Sequence, residues 1–279
     1  MTGPIVCGID FSEHSRRALV WARFFATRLN LPLIVVHAVE PVLAEASKVT
    51  YGPGALAATL EPELREFIGP DASTLHVGVG ESASVLKGAA MAHAASLLVV
   101  GTQGLGRAAR VWFGSTTLRL LRETTTPILA IPPKSADAPA LSGFVVGTDF
   151  SEASDAAVHA AVALGAQLQV PVTCLHAVRT VAAHTRWNEV IHETVDRAIH
   201  AARQRLANTA AAIAAAGTLT TDVRTGDAAD TLIDAAEGTD LVLVVGLGGA
   251  HNGQHPGTTA YRVLSGADAP VLAVPLRRA

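Results

Sequence analysis

Aromatic residues are scarce in this chain of 279 residues, at 4% of positions, and cysteine is scarcer still, with two copies. Two cysteines cannot staple a small secreted scaffold. Cys7 and Cys174 each sit inside an apolar strand-like run, where they read as buried fillers in a reducing compartment. Charged residues are also few, 16% against 49% hydrophobic, the reverse of what a disordered chain shows. Well-packed cores of Ala, Val and Leu are expected. Basic excess is absent: the formal net charge is −3, which gives no reason to expect nucleic acid. No apolar run reaches the roughly 18 residues that a membrane span needs. The start, MTGPIVCGIDFSE, lacks both the basic and the apolar regions of a signal peptide. A soluble, cytoplasmic protein is expected, with neither nucleic acid nor membrane as a partner.

What the chain has in plenty is repetition. IVCGIDFSEHSRRAL (5–19) returns as FVVGTDFSEASDAAV (144–158), and LPLIVVHAV (31–39) returns as VPVTCLHAV (170–178) at the same offset of 139. GESASVLKGAAMAHAASLLVVG (80–101) is echoed at 226–246, and TPILAIP (126–132) at 269–275. A shared Asp-Phe-Ser-Glu at one offset marks a tandem duplication. The charge is unevenly divided. Residues 1–136 carry 12 Lys/Arg against 10 Asp/Glu, and the remainder 9 against 14, so an anionic ligand finds the first half more welcoming.

Within each copy, short β-branched runs alternate with longer Ala/Leu-rich stretches. In the first copy the runs are PIVCGI, LPLIVVHA, TLHVGV, SLLVVG and PILAIP, with helices predicted near 13–29, 55–68, 82–94 and 115–124. Strands apolar on both faces, separated by helix-length segments, imply a parallel sheet covered on both sides, a doubly wound α/β sandwich. Ser12 and Ser151 suit the caps of the first helices. Residues 1–134 and 143–279 form the expected domains. The Pro-, Ala- and Ser-rich stretch between them makes 135–142 a linker.

The chemistry concentrates at GTQGLGRAARVWFGSTT (101–117), which comes directly after the apolar run LLVV. A P-loop fails here, because Arg107-Ala108 stands where Lys-Ser/Thr must hold phosphate and Mg²⁺. Gly104-x-Gly106-x-x-Ala109 has the shape of a dinucleotide fingerprint, but it comes after the fourth strand, not the first, and the acidic residue that fingerprint requires is misplaced. The spacing that fits throughout is Gly101-x2-Gly104-x9-Gly114-Ser115, continued by Thr116 and Thr117.

That motif, with Asp10 in GIDFSE and His37 in the second run, resembles the universal stress protein family, over nearly the whole chain as two copies. The resemblance implies two tandem five-stranded parallel sheets of order 3-2-1-4-5, each binding ATP or another adenine nucleotide. It implies further that the adenine meets main chain near Ala38, with Asp10 on the base or ribose side, and that the last strands pair across domains. In a sheet of that order a crevice opens at the carboxyl ends of the first and fourth strands, bordered by Asp10 and Gly101. Glycines at 101 and 104 let backbone N–H groups approach anionic oxygens. Gly114-Ser115-Thr116 opens a helix whose unpaired N–H groups favour phosphate. Arg107 and Arg110 read as solvated side chains of the loop, with screening of phosphate charge as the alternative.

The second copy departs from the pattern. Gly246-x2-Gly249 survives, but seven residues separate Gly249 from Gly257-Thr258 against nine in the first copy, Pro256 stiffens the approach, and neither arginine has a counterpart. Asp149, Ala177, Gly246, Gly249, Gly257 and Thr258 therefore make a weaker second site. His192, Asp196 and His200 share one helical face yet lack a metal-site spacing, so no metal is expected. His37 and His176 read as local packing or hydrogen-bonding residues. No catalytic constellation is evident. At most Asp10 holds Mg²⁺ or orients a water for slow ATP hydrolysis. The expectation is a nucleotide-dependent stress-response regulator with a protein partner or a homodimer. A nucleotide-free interaction module and a weak ATPase are the alternatives.

Overall fold

The computed structural model describes residues 1–52, 54–70, 73–102, 114–179, 188–213, 217–248 and 257–276. The chain divides into two compact units, Met1–Pro139 and Ala140–Ala279. In unit one, strands β1 (Ile5–Ile9), β2 (Leu33–Val39), β3 (Thr74–Val79), β4 (Leu97–Gly101) and β5 (Ile128–Ile131) run in the order β3-β2-β1-β4-β5. Every pairing is parallel, with Ile5 opposite both Leu33 and Leu97. Helices α1 (Glu13–Leu29), α2 (Pro41–Tyr51), α3 (Ala55–Ile68), α4 (Ser82–Ala92) and α5 (Ser115–Glu123) connect them.

Unit two repeats the plan. Strands β6 (Gly143–Gly147), β7 (Val172–Val178), β8 (Leu219–Thr225), β9 (Leu241–Leu247) and β10 (Val271–Pro275) lie in the order β8-β7-β6-β9-β10, again all parallel. Its helices are α6 (Glu152–Leu168), α7 (Asn188–Ile213), α8 (Ala228–Ala236) and α9 (Thr258–Gly266). Both units therefore have the strand order 3-2-1-4-5 when counted from their own first strand.

The apolar runs become the central strands for the reason their composition implies. Ile5, Val6 and Cys7 in β1, and Leu98 and Val99 in β4, are fully buried because helices cover both faces. Burying an aromatic such as Phe25 or Phe144, each 1% exposed, stabilises its unit by about 1.5–3 kcal/mol. Burial also pushes both cysteine thiols up to about 12, against weak opposition from Arg23 at Cys7 and with help from Asp155 at Cys174. They stay protonated and serve as core fillers. The edge strand β3 differs: Thr74, His76 and Val79 are exposed, as suits a strand with one free side. Helix α2 has no buried residue, and its apolar side chains Val42, Leu43, Val49 and Tyr51 are exposed.

Ser12 caps α1 by accepting a hydrogen bond from Ser15 N at 3.1 Å, and Ser151 caps α6 from Ser154 N at 3.3 Å. Beyond β5 the chain lies against α1. Arg17 donates to the Asp137 carboxylate at 2.6 Å and to the Pro133 carbonyl at 2.5 Å, and Trp21 Nε1 donates to Ala136 O at 3.2 Å. The first part of the Pro/Ala-rich segment is thus hydrogen-bonded to unit one.

Candidate functional site

In both units the first strand ends in a carboxylate held by the next helix. Asp10 comes after β1, and Phe11 takes the left-handed conformation (φ 64°), which folds the chain back so that Ser12 reaches it. Ser12 donates to Asp10 Oδ1 twice, from Oγ at 2.5 Å and from its backbone N–H at 3.1 Å. Asp149 repeats this with Phe150 (φ 62°) and Ser151, at 2.5 and 3.0 Å. A non-glycine residue in that region is strained, and recurrence at both copies marks a place where the carboxylate's aim is fixed by the backbone. At Asp149, partial burial pulls the carboxyl upward. The hydrogen bonds from Ser151 and Ser154 outweigh it, so the group is held below its ordinary value and stays ionised at neutral pH.

The paired histidines brace the same corner. His37 Nδ1 lies 3.0 Å from Ile9 O, and His176 Nδ1 lies 2.8 Å from Thr148 O. A carbonyl only accepts, so Nδ1 carries the proton in each. Phe11 packs edge-on to His37 at 5.2 Å, and Phe150 tilts over His176 at 4.6 Å. Both histidines therefore have the packing and hydrogen-bonding role read from their recurrence.

The glycines that close the fourth strands have a structural reason of their own. A Cβ on Gly101 would sit 3.0 Å from the His14 carbonyl oxygen, and one on Gly246 would overlap the Ala153 carbonyl. Each lets the first turn of α1 or α6 press against the strand. Gly101 is thus a packing glycine whatever approaches its amide. Thr117 adds a bond that no sequence pattern signals: buried in α5, it donates through Oγ1 to Gly101 O at 3.0 Å. Gly114 N donates to Thr102 O at 2.8 Å, tying the two ends of the 103–113 connection together.

Unit one thus brings Asp10 (after β1), Ala38 (in β2), Gly101 (ending β4) and Gly114, Ser115 and Thr116 (opening α5) to the carboxyl ends of adjacent strands. Ser115 is exposed and makes no side-chain capping bond. Gly104, Arg107 and Arg110 lie outside the described residues, as do Gly249, His251, His255 and Pro256.

In unit two the equivalent place is a cleft of about 300 Å³. Its lining includes Asp149, Ala177, Gly246, Gly257 and Thr258, five of the six residues singled out for the second site. Ala153, Leu175, Leu232 and Val245 form a buried apolar floor, and Asp149, Ser151, Thr258 and Thr259 stand exposed at the mouth. Spacing along one loop gives no sign of that floor, because its residues come from four separate elements. His192, Asp196 and His200 are exposed on α7, and among the described residues no group of three His, Cys, Asp or Glu could hold a metal ion. No described helix is long and apolar enough to cross a membrane.

A model of the universal stress protein family matches residues 1–132 and again residues 143–275. The chain belongs to the universal stress protein family. A universal stress protein of Mycobacterium tuberculosis is 31% identical over 194 residues, covering 62% of this chain and 63% of that protein. The chain therefore spans less than two thirds of that relative's length. A universal stress protein of Thermus aquaticus is 31% identical over 139 residues, 47% of this chain and 99% of its own length. That relative is about the size of one unit. The fold is also that of a universal stress protein from Archaeoglobus fulgidus, with a TM-score of 0.69 at 14% identity and 98% of each chain covered.

Proposed function

We propose that this universal stress protein binds an adenine nucleotide, with ATP at unit one, and acts as a nucleotide-dependent regulator of a stress response. The observation that carries the reading is the cleft of unit two. There a carboxylate, a strand-end glycine and a Gly-Thr helix start line one space at the carboxyl ends of β6, β7 and β9. Parallel α/β sheets bind ligands at such a switch point. The cleft volume falls at the small end of the range for small-molecule sites, about 300–1,000 Å³. Unit one carries the matching carboxylate, strand-end glycine and helix start, with Ser115 and Thr116 as hydroxyl donors and a connection bearing Arg107 and Arg110.

The residues fit the ligand. Asp10 spends Oδ1 on Ser12, leaving acceptor capacity for ribose hydroxyls or an exocyclic amine. Amides at the start of α5 suit phosphate oxygens. Mg²⁺ bound with ATP takes hard oxygen donors, and Asp10 is the carboxylate on hand. A partner-binding role is compatible with regulation and is favoured by α2, where Val42, Val49 and Tyr51 are 81%, 79% and 78% exposed.

The test is to purify the chain without added nucleotide, denature it and identify any released small molecule by mass spectrometry, alongside calorimetric titration with ATP. Release of an adenine compound, or ATP binding that Gly114→Asp with Ser115→Ala removes, supports the reading. No release and no binding overturn it.

A further inference from the structure

The second-unit cleft lacks what a polyphosphate needs. None of its described lining residues is Lys or Arg. The connection from Gly248 to Gly257 adds none either, since its sequence is Gly-Ala-His-Asn-Gly-Gln-His-Pro, whereas residues 102–114 of unit one include two arginines. Two arginines beside the site are engaged elsewhere. Arg262 of α9 donates to Asp227 and Asp230 at 2.7 Å each, and the Arg205 guanidinium lies 4.0 Å over the Phe150 ring. Among the described lining residues the one fixed charge is the Asp149 carboxylate, a full negative charge. Opposing it is the start of α9, worth about half a positive charge.

The rest of the lining suits a flat polar molecule. Leu175, Leu232, Val245 and Ala153 give apolar faces, while Asp149, Thr258 and Thr259 offer one ionic acceptor and two hydroxyls, the Ser151 hydroxyl being spent on Asp149. Asp149 uses Oδ1 on Ser151 and keeps capacity to accept from further N–H or O–H donors. A base amine and a ribose diol supply such donors. A triphosphate supplies only acceptors and charge.

We infer that the cleft of unit two selects an uncharged adenine nucleoside over its polyphosphates, so that the two units of one chain take different phosphorylation states of one base. This rests on the adenine reading of the family site and concerns only the groups carried on the ribose 5′ oxygen.

The test is calorimetric titration of the full chain carrying Gly114→Asp and Ser115→Ala, with adenosine and with ATP, each with and without Mg²⁺. Adenosine is expected to bind at least about tenfold more tightly than ATP under both conditions. Asp149→Asn should weaken adenosine and strengthen ATP, and Thr258→Lys should strengthen ATP alone. Damage to the fold would weaken both ligands together. Hydrogen-exchange protection of α8 and α9 in the unsubstituted chain gives the same comparison without any variant. Equal or tighter binding of ATP at unit two overturns the inference, as does no adenosine binding up to about 1 mM. In either case, ATP binding by the unsubstituted chain that the unit-one substitutions remove leaves the proposed function standing. Adenosine binding at unit two with no ATP binding anywhere overturns the ATP reading and keeps the nucleoside one.

Discussion

Asp10 and Asp149 end equivalent strands, bond to equivalent serines and stand beside equivalent histidines, yet the walls around them have diverged. At the second residue of the first helix, unit one has His14, with a buried Nδ1 that has no hydrogen-bond partner among the described residues, where unit two has Ala153. Ala153 lines the cleft of unit two and lies against Gly248. Thr117, which ties α5 to β4, becomes Ala260 in α9. The carboxylate corner is a backbone device, set by a left-handed Phe and a capping Ser. Duplication preserves such a device because any change to it costs folding. The walls differ at His14 against Ala153 and at Thr117 against Ala260, so they are where two copies can come to prefer different ligands.

The strongest way to break the comparison is to place a methyl where each fourth strand meets the first helix. Gly246→Ala drives Cβ into the Ala153 carbonyl and the Ser154 amide, backbone atoms that cannot rotate away. Overpacking of this kind costs about 2–3 kcal/mol. Gly101→Ala meets His14 O at 3.0 Å and His14 Cβ at 3.2 Å, tight contacts but without the overlap at Gly246, so the cost there is smaller, about 1 kcal/mol. Urea unfolding monitored by hydrogen exchange, which reads the two units separately, checks the difference. Equal losses would mean that the two strand ends are packed alike.

These glycines also show how far the sequence could be read. The duplication, the parallel sheets and the capping serines were legible because each rests on a local pattern: a repeated tetrapeptide, a continuous apolar run, a Ser before a helical period. The predicted helices at 13–29, 55–68, 82–94 and 115–124 match α1, α3, α4 and α5 within two residues at either end. Helix α2 escaped because it buries nothing, so its few apolar residues, Val42, Leu43 and Val49, face no core that would mark it. Gly101 and Gly246 were visible as glycines, but whether a missing Cβ admits a ligand or a neighbouring carbonyl is decided by chain segments far off in sequence. The cleft floor was illegible for the same reason. Leu175, Leu232, Val245 and Ala153 are ordinary core residues until the topology gathers them.

A smaller effect separates the two last helices. Thr117 is 2% exposed and its hydroxyl donates to Gly101 O, so Thr117→Val keeps the volume and removes the bond. Loss of a buried hydrogen bond costs about 1–2 kcal/mol. The loss should fall on unit one alone and should show as faster exchange at the start of α5. Unit two already lives without this bond, with Ala260 buried in its place. Exchange unchanged at α5 would show that Gly114 N on Thr102 O suffices to hold the helix.

The smallest change concerns the carboxylate itself. Ser151→Ala removes the α6 cap, worth about 1 kcal/mol, and the hydroxyl bond to Asp149. The Asp149 carboxyl is held below its ordinary value of 3.8, so its contribution to stability is complete above that value and is lost as the pH falls through the lower, folded-state one. Ser151→Ala should therefore raise the Asp149 midpoint, read by carboxyl-carbon NMR, and reduce stability at neutral pH more than at pH values below that midpoint. Partial burial opposes the hydrogen bonds, so with one of them gone its upward pull counts for more. An unmoved midpoint would show that the backbone N–H of residue 151 alone sets the charge at the mouth of the cleft.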